Sequence, residues 1–259
     1  MRLLLFDLDG TLIRSAGAGR RAMEQAWAAV FGRTVTLEPR WTAGRTDLAI
    51  FREMARRSGL EAEMERHRDR LVACYLEALE RELARGAGEV LPGVVELLGW
   101  ARASGWALAL GTGNLEAGAR RKLEPFDLNG YFPVGGFAED GEDRRALLEA
   151  AVRRAAAQWG ECARCVVVVG DTPLDVEAAH AAGYQAVAVA TGPYGVEELA
   201  ATGAEAVLPA LAPRERAVRE LERVAAQAAA RGLEPEEAAR GSSRRRTGGG
   251  EGPSACDGH

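Results

Sequence analysis

Leu3-Leu4-Leu5-Phe6-Asp7-Leu8-Asp9-Gly10-Thr11-Leu12 stands at the head of the chain. Its four leading apolar residues show no polar alternation, which reads as a strand buried on both faces. Two aspartates and a glycine turn follow. In an open α/β sheet, groups placed there lie in the crevice beyond the strands' carboxyl ends, where ligands bind. Residues two apart on a strand project the same way, so Asp7 and Asp9 face one site. Gly10 permits a tight turn, and Thr11 offers a hydroxyl and a backbone N–H to an anion. Two clustered carboxylates repel unless a cation sits between them. A hard divalent ion with oxygen ligands answers that need, and Mg²⁺ is the usual one. Alone, the segment is equally an Asp-Gly turn closing a strand.

Outward from it, the same pattern repeats. Ala107–Leu110, Val166–Val169 and Ala186–Val189 read as further buried strands, each followed by a turn and a helical periodicity, with a fifth strand near Tyr131–Val134. Such alternation predicts a doubly wound parallel sheet, a Rossmann-like α/β core with helices on both faces. Far more chain separates the first two strands than a crossover needs. Residues 15–89 carry helical faces instead: Ala22, Ala26, Ala29 and Val30; then Leu48, Phe51 and Ala55, with Gly59 as a C-terminal stop; then Leu71, Tyr75, Leu79 and Leu83. This predicts an all-helical cap inserted between residues 1–14 and 90–212 of the core. Val218, Leu221 and Ala225 mark one more helix within 213–231, and the polar, glycine-rich 232–259 is expected to be a disordered tail, Arg244-Arg245-Arg246 included.

Two more segments follow buried strands. Gly111-Thr112-Gly113-Asn114 has the form of a phosphate cradle, a small hydroxyl residue with flanking amides at the start of a helix. Gly170-Asp171-Thr172-Pro173-Leu174-Asp175 again sets two acids after a strand. Asp171 or Thr172 would cap the next helix, with Pro173 at its first position. Asp171 is the better candidate for direct metal ligation, and Asp175, one turn on, for holding a metal-bound water or the loop. Either segment alone is a helix cap; three strand ends with acids and a hydroxyl in one crevice are a site.

Composition narrows the function. A net charge of −5 over 259 residues lacks the basic excess of a nucleic-acid binder. Leu3–Phe6 is too short for a signal-peptide core or a membrane span, so a cytoplasmic protein with no membrane partner is expected, as monomer or homodimer. Cys74, Cys162, Cys165 and Cys256 make no disulfide framework, and Cys162-Ala163-Arg164-Cys165 is half a zinc site without a second half.

The three acid and hydroxyl segments, in this order after strands, resemble the first, second and fourth motifs of the haloacid dehalogenase superfamily. The continuation Ala181-Ala182-Gly183 and Val187-Ala188-Val189-Ala190-Thr191-Gly192 is similar to its phosphoglycolate-phosphatase-like hydrolases, and the likeness extends over about residues 1–210. It implies Asp7 as nucleophile and metal ligand, and Asp9 as general acid/base with its backbone carbonyl on the metal. Thr112 would hold the transferring phosphoryl group, with Gly10, Thr11, Gly113 and Asn114 around the substrate. Asp171 would complete the Mg²⁺ shell, supported by Asp175. Dehalogenase members lack an acid at the second position, so Asp9 implies phosphate chemistry on a small phosphorylated metabolite. The family's third motif supplies a cation, usually a Lys in a Lys-Pro segment. This chain has Glu142-Asp143-Arg144-Arg145 there, with Arg144 in the equivalent place, while Lys122, its only lysine, lies earlier. Lys122 is slightly favoured, because a sole lysine among so many arginines suggests that arginine does not suit the site. Gly44-Arg45-Thr46-Asp47 is similar to a cap segment of related hydrolases. Arg45 would meet a substrate carboxylate or phosphate, unless the segment is merely a helix start capped by Thr46 or Asp47. A sugar-phosphate mutase and a non-catalytic phosphate-ligand binding protein are the alternatives to a phosphatase.

Overall fold

Each buried run forms a strand in the computed structural model, which describes residues 1–86 and 88–231. Cys256, His259 and the Arg244–Arg246 run lie outside the described residues. The strands are β1 (Arg2–Phe6), β2 (Ile13–Arg14), β3 (Glu89–Val90), β4 (Trp106–Gly111), β5 (Gly135–Gly136), β6 (Cys165–Gly170), β7 (Gln185–Val189) and β8 (Ala206–Leu208). The helices are α1 (Ala18–Phe31), α2 (Pro39–Thr42), α3 (Asp47–Ser58), α4 (Glu61–Arg66), α5 (Arg68–Leu83), α6 (Val94–Ala103), α7 (Glu116–Leu123), α8 (Arg144–Trp159), α9 (Pro173–Ala181), α10 (Val196–Ala200) and α11 (Arg214–Arg231).

Six strands make one parallel sheet in the order β5-β4-β1-β6-β7-β8. The chain builds outward on one side of β1, then crosses back to place β6 on its other edge. β1 is therefore the topological switch point, the place where such sheets bind ligands. Register aligns the three motif-bearing ends: Phe6 pairs with both Leu110 and Val169, and the Asp7 N–H donates to the Val169 carbonyl at 2.9 Å. The alternate side chains of β1 feed two apolar layers. Leu4 and Phe6 join one with α6 and α11, while Leu3 and Leu5 join the other with α8 and α9.

Two expectations shift. The fifth strand forms at Gly135–Gly136 rather than Tyr131–Val134, because Tyr131 lies in a short 3₁₀ turn that brings the chain to the β4 edge only later. β8 was not anticipated; its three residues are too few to show a pattern.

The cap leaves and rejoins the core through adjacent strands. β2 and β3 pair antiparallel, Ile13 with Val90 and Arg14 with Glu89. Between them α1 and α5 pack together and α3 closes a separate apolar cluster around Trp27, Phe51 and Tyr75. On α1 the buried face is Ala18, Ala22, Met23, Ala26 and Trp27, so Ala29 is exposed, contrary to its expected place on that face. Leu115 of the core inserts into the same cluster. Among the described residues no helix is long and apolar enough to cross a membrane.

Candidate active site

Between core and cap lies a cavity of about 460 Å³, lined by Asp7, Asp9 and Asp171 from below and by Arg20, Arg45 and Tyr75 from the cap, among others. Its floor has two acid corners.

The first corner holds Asp7, Asp171 and Asp175, all buried, each offering an oxygen within 4.8 Å of the others. β1 and β6 deliver the first two, and the first turn of α9 delivers the third. Thr172 caps α9, and the Asp175 carboxylate accepts from the Thr172 N–H at 3.0 Å and its hydroxyl at 2.7 Å. Arg144 is the cation here. Its Nη2 pairs with Asp175 and lies 3.4 Å from Asp7, and its Nη1 donates to the Gly44 carbonyl of the cap at 3.0 Å. One guanidinium does not balance three carboxylates. Burial, then the Asp175 charge, push Asp7 up to about 6 against the pull of Arg144. Burial and the charges of Asp7 and Asp175 raise Asp171 well above the carboxylate range. Gly10 holds φ +86° here, and a Cβ on it would lie 2.3 Å from Asp171 Oδ2, so no other residue suits the turn. An all-oxygen, over-acidic, close-set trio is the donor set that a hard divalent cation takes.

The second corner is neutral. Asp9 Oδ2 accepts from Lys122 Nζ at 2.5 Å and from Asn114 Nδ2 at 3.0 Å, and its Oδ1 from Ser15 Oγ at 3.0 Å. Lys122 also donates to Asn114 Oδ1 at 2.6 Å. Burial alone would raise Asp9, but the Lys122 charge and these hydrogen bonds outweigh it and lower its pKa. Lys122 is itself buried, yet Asp9 and Asp47 raise its pKa and hold it charged.

The structure thus separates the two third-motif candidates. Arg144 serves Asp7 and Asp175, while Lys122 serves Asp9. Lys122 Nζ is closely walled by α1, where a Cβ on Gly19 would lie 3.1 Å from it. A planar guanidinium is bulkier than an ammonium.

Other expected residues take different posts. Thr112 is fully buried behind the cavity wall, its hydroxyl accepting from Asn114 Nδ2 at 2.9 Å. Thr11 is also fully buried and spends its hydroxyl on Asp171 at 3.1 Å, satisfying that carboxylate rather than facing a substrate. Gly113 and Asn114 line the cavity, as does exposed Arg45, whose guanidinium lies 5.8 Å from the Trp41 ring. The Asp9 carboxylate is held by Lys122, Asn114 and Ser15 and is not in the acid trio, which leaves only its backbone carbonyl for the metal role implied for it. Cys162 and Cys165 are free, one exposed and one buried, with no metal cluster around them among the described residues. The sequence gives no site role to Ser15 or Arg20, reads Tyr75 only as part of a cap-helix face, and reads Asp47 only as a helix cap. None of these sits in the acid and hydroxyl motifs that follow the strands; the fold brings them in.

Comparison with known proteins names the family. The model for haloacid dehalogenase-like hydrolases matches residues 1–183. The chain belongs to that family. It is 31% identical over 198 residues to phosphoglycolate phosphatase 1 of Pseudomonas aeruginosa, covering 74% of this chain and 70% of that one. It is 30% identical over 203 residues to a phosphoglycolate phosphatase of Mesorhizobium japonicum, covering 73% and 83%. The crystal structure of a hydrolase from Pseudomonas syringae shares the fold, with a TM-score of 0.65 at 24% identity over 87% of this chain and 100% of that one. This haloacid dehalogenase-like protein is a phosphatase with a doubly wound core and a helical cap.

Proposed function

We propose that the protein hydrolyses a small phosphomonoester through an aspartyl-phosphate on Asp7, with Mg²⁺ held by Asp7, Asp171 and the Asp9 carbonyl and supported by Asp175. One observation carries this reading: Asp7 and Asp9 share a cavity but have opposite surroundings. Asp7 stands in the over-acidic corner, where a divalent cation would neutralise charge on the phosphoryl oxygens. Asp9 stands beside a cation that a phosphate can recruit.

The steps follow from these places. An Asp7 oxygen attacks phosphorus and the bond to the ester oxygen breaks. Asp9 gives its proton to the departing alkoxide. Water then attacks the acyl phosphate, loses a proton to Asp9, and the phosphorus–Asp7 bond breaks to release inorganic phosphate. Splitting one hard displacement into two is the general gain of a covalent intermediate. General acid–base help of this kind contributes roughly 10²–10⁴-fold. Before the first step Asp9 must be protonated, whereas Lys122 holds it ionised. A substrate phosphate that draws Lys122 toward itself removes that hold, and Arg144 keeps Asp7 aimed meanwhile.

Phosphoglycolate is a fitting substrate. The two relatives named for it are about as similar as any single match reported above, and Arg20 and Arg45 place positive charge on the cap side of the cavity for a second anionic group. The test is turnover of p-nitrophenyl phosphate and of a panel of phosphorylated metabolites with Mg²⁺. Activity is expected, lost in Asp7→Asn. A fully active Asp7→Asn protein would sink the nucleophile assignment.

A further inference from the structure

Asp47 belongs to the cap, yet it is spent on the core. Its own helix does not need it: Thr46 is the N-cap of α3, its hydroxyl accepting from the Ala49 N–H at 3.1 Å. Instead the Asp47 N–H donates to the Gly113 carbonyl at 2.7 Å, and Asp47 Oδ2 accepts from the Leu115 N–H at 2.9 Å. Leu115 is the N-cap of α7 and brings no side-chain oxygen of its own. The first N–H groups of a helix need outside acceptors. Here the cap supplies one to a helix of the core, and the Leu115 side chain packs into the cap's apolar cluster in return.

The contact is tight. A Cβ on Gly113 would lie 2.5 Å from the Arg45 carbonyl, so only glycine lets the two backbones meet. Asp47 is 5% exposed and Leu115 is 4% exposed, so water cannot readily replace either bond.

Between Gly113 and Leu115 lies Asn114, the residue that joins Asp9 to Lys122. Lys122 itself rides on α7. We propose that Asp47 is a positioning residue that couples closure of the cap to the Asp9–Asn114–Lys122 corner. With the cap closed, two reciprocal hydrogen bonds fix the 113–115 loop and set Asn114 against Asp9. When the cap lifts, both bonds break together and the corner loses its frame. The enzyme thereby assembles its acid/base only over a covered substrate. This rests on the phosphatase reading, in which Asp9 is the acid/base. No contact of Asp47 with substrate is required.

The test compares Asp47→Ala, which deletes the acceptor, with Asp47→Asn, which keeps an oxygen able to accept from Leu115. Turnover of p-nitrophenyl phosphate with Mg²⁺ gives kcat and KM, and amide hydrogen exchange without substrate or metal reports the loop directly. For Asp47→Ala we expect a kcat loss of roughly 10–100-fold, the usual effect of removing an orienting partner. KM should move less, because the loss is of transition-state help. The Leu115 amide should exchange faster. Asp47→Asn should recover kcat to within about threefold and slow that amide again. Equal losses in the two variants would mean that charge matters and the latch does not, which overturns the proposal, as does a folded Asp47→Ala protein with unchanged kcat. If Asp47→Ala does not fold, the unsubstituted protein decides: the Asp47 and Leu115 amides should exchange at one common opening rate. Exchange of Leu115 in step with the rest of α7 instead of with Asp47 also overturns it. An inactive unsubstituted protein whose two amides still open together would refute the phosphatase reading and leave the latch standing.

Discussion

Asp7 and Asp9 sit two residues apart at the end of one strand and line one cavity, Asp7 buried and Asp9 half-buried, and they are driven in opposite directions. Asp7 shares one guanidinium with Asp171 and Asp175, and its pKa rises to about 6. Asp9 pairs directly with Lys122, with Asn114 and Ser15 completing its hydrogen bonds, and its pKa falls. Desolvation is the largest influence on both and favours the neutral form in both. What differs is the number of cations per carboxylate. The lesson is that burial does not fix the state of a carboxylate; the count of neighbouring charges does. The Asp7 corner has one guanidinium for three carboxylates, the setting in which the proposed metal would be held, and the proposed proton transfer would fall to Asp9.

Asp7→Asn breaks the comparison hardest. It removes the proposed nucleophile, so turnover should fall on the order of 10⁴-fold or more, as loss of a covalent catalyst does elsewhere. It also removes one of three mutually repelling carboxylates. The metal-free protein at pH 7.5 should therefore melt no lower than the unsubstituted one, and by several degrees higher if repulsion is fully relieved. Mg²⁺ should raise the melting temperature of the unsubstituted protein much more than that of the variant. A large drop in the metal-free melting temperature would show that Asp7 is needed for packing rather than strained by its neighbours.

Lys122→Met attacks the other corner and should act in the opposite sense. It leaves Asp9 half-buried, with its Asn114 and Ser15 hydrogen bonds but no cation. Removing one partner of a fully buried pair costs roughly 3–5 kcal/mol, and solvent at the 37% exposed Asp9 side chain screens the loss to less than that. The melting temperature should fall, and the alkaline limb of the pH dependence of kcat/KM should move upward as Asp9 holds its proton longer. Lys122→Arg should not restore either property, because Gly19 leaves no room for the larger head. Full rescue by arginine would remove the steric reason for the chain's only lysine.

The corners were legible in the sequence to different degrees. The acids of the Asp7 corner follow buried strands, and strand runs show plainly as apolar stretches; Asp7, Asp171 and Asp175 were therefore placed together from pattern alone. Arg144 and Lys122 both stood out as candidate cations, but which acid each serves depends on where α7 and α8 lie, which no local pattern carries. Thr11 and Thr112 were read as facing a ligand because their hydroxyls follow strands. The structure gives those hydroxyls to Asp171 and Asn114, since a buried polar group takes the nearest partner. Asp47 was legible only as a helix start. Its bonds to Gly113 and Leu115 span the chain from cap to core, and such contacts leave no periodic trace.

Acid titration of the metal-free protein sharpens the comparison most finely, because the corners carry opposite signs. Asp7 holds its proton to about pH 6 in the folded state, against 3.8 as the reference value, and Asp47 does the same through burial, opposed by Lys122. Between pH 4 and 6 the unfolded chain ionises these groups while the folded chain does not. The folded protein then binds more protons, so stability falls as pH rises through this window and stays reduced above it. A shift of about two units corresponds to about 3 kcal/mol for each group. Asp9 works the other way: its lowered pKa contributes stability above the reference value, and that contribution is lost as pH falls through its folded pKa. Melting temperatures should therefore pass through a maximum on the acidic side of neutrality in the absence of metal. Asp7→Asn should flatten the fall between pH 4 and 6, and Asp9→Asn should flatten the loss on the acid side. Saturating Mg²⁺ should lift the curve mainly above pH 6, where Asp7 is ionised and able to bind it. A curve that Mg²⁺ raises equally at pH 4 and pH 7.5 would place the metal away from the Asp7 corner.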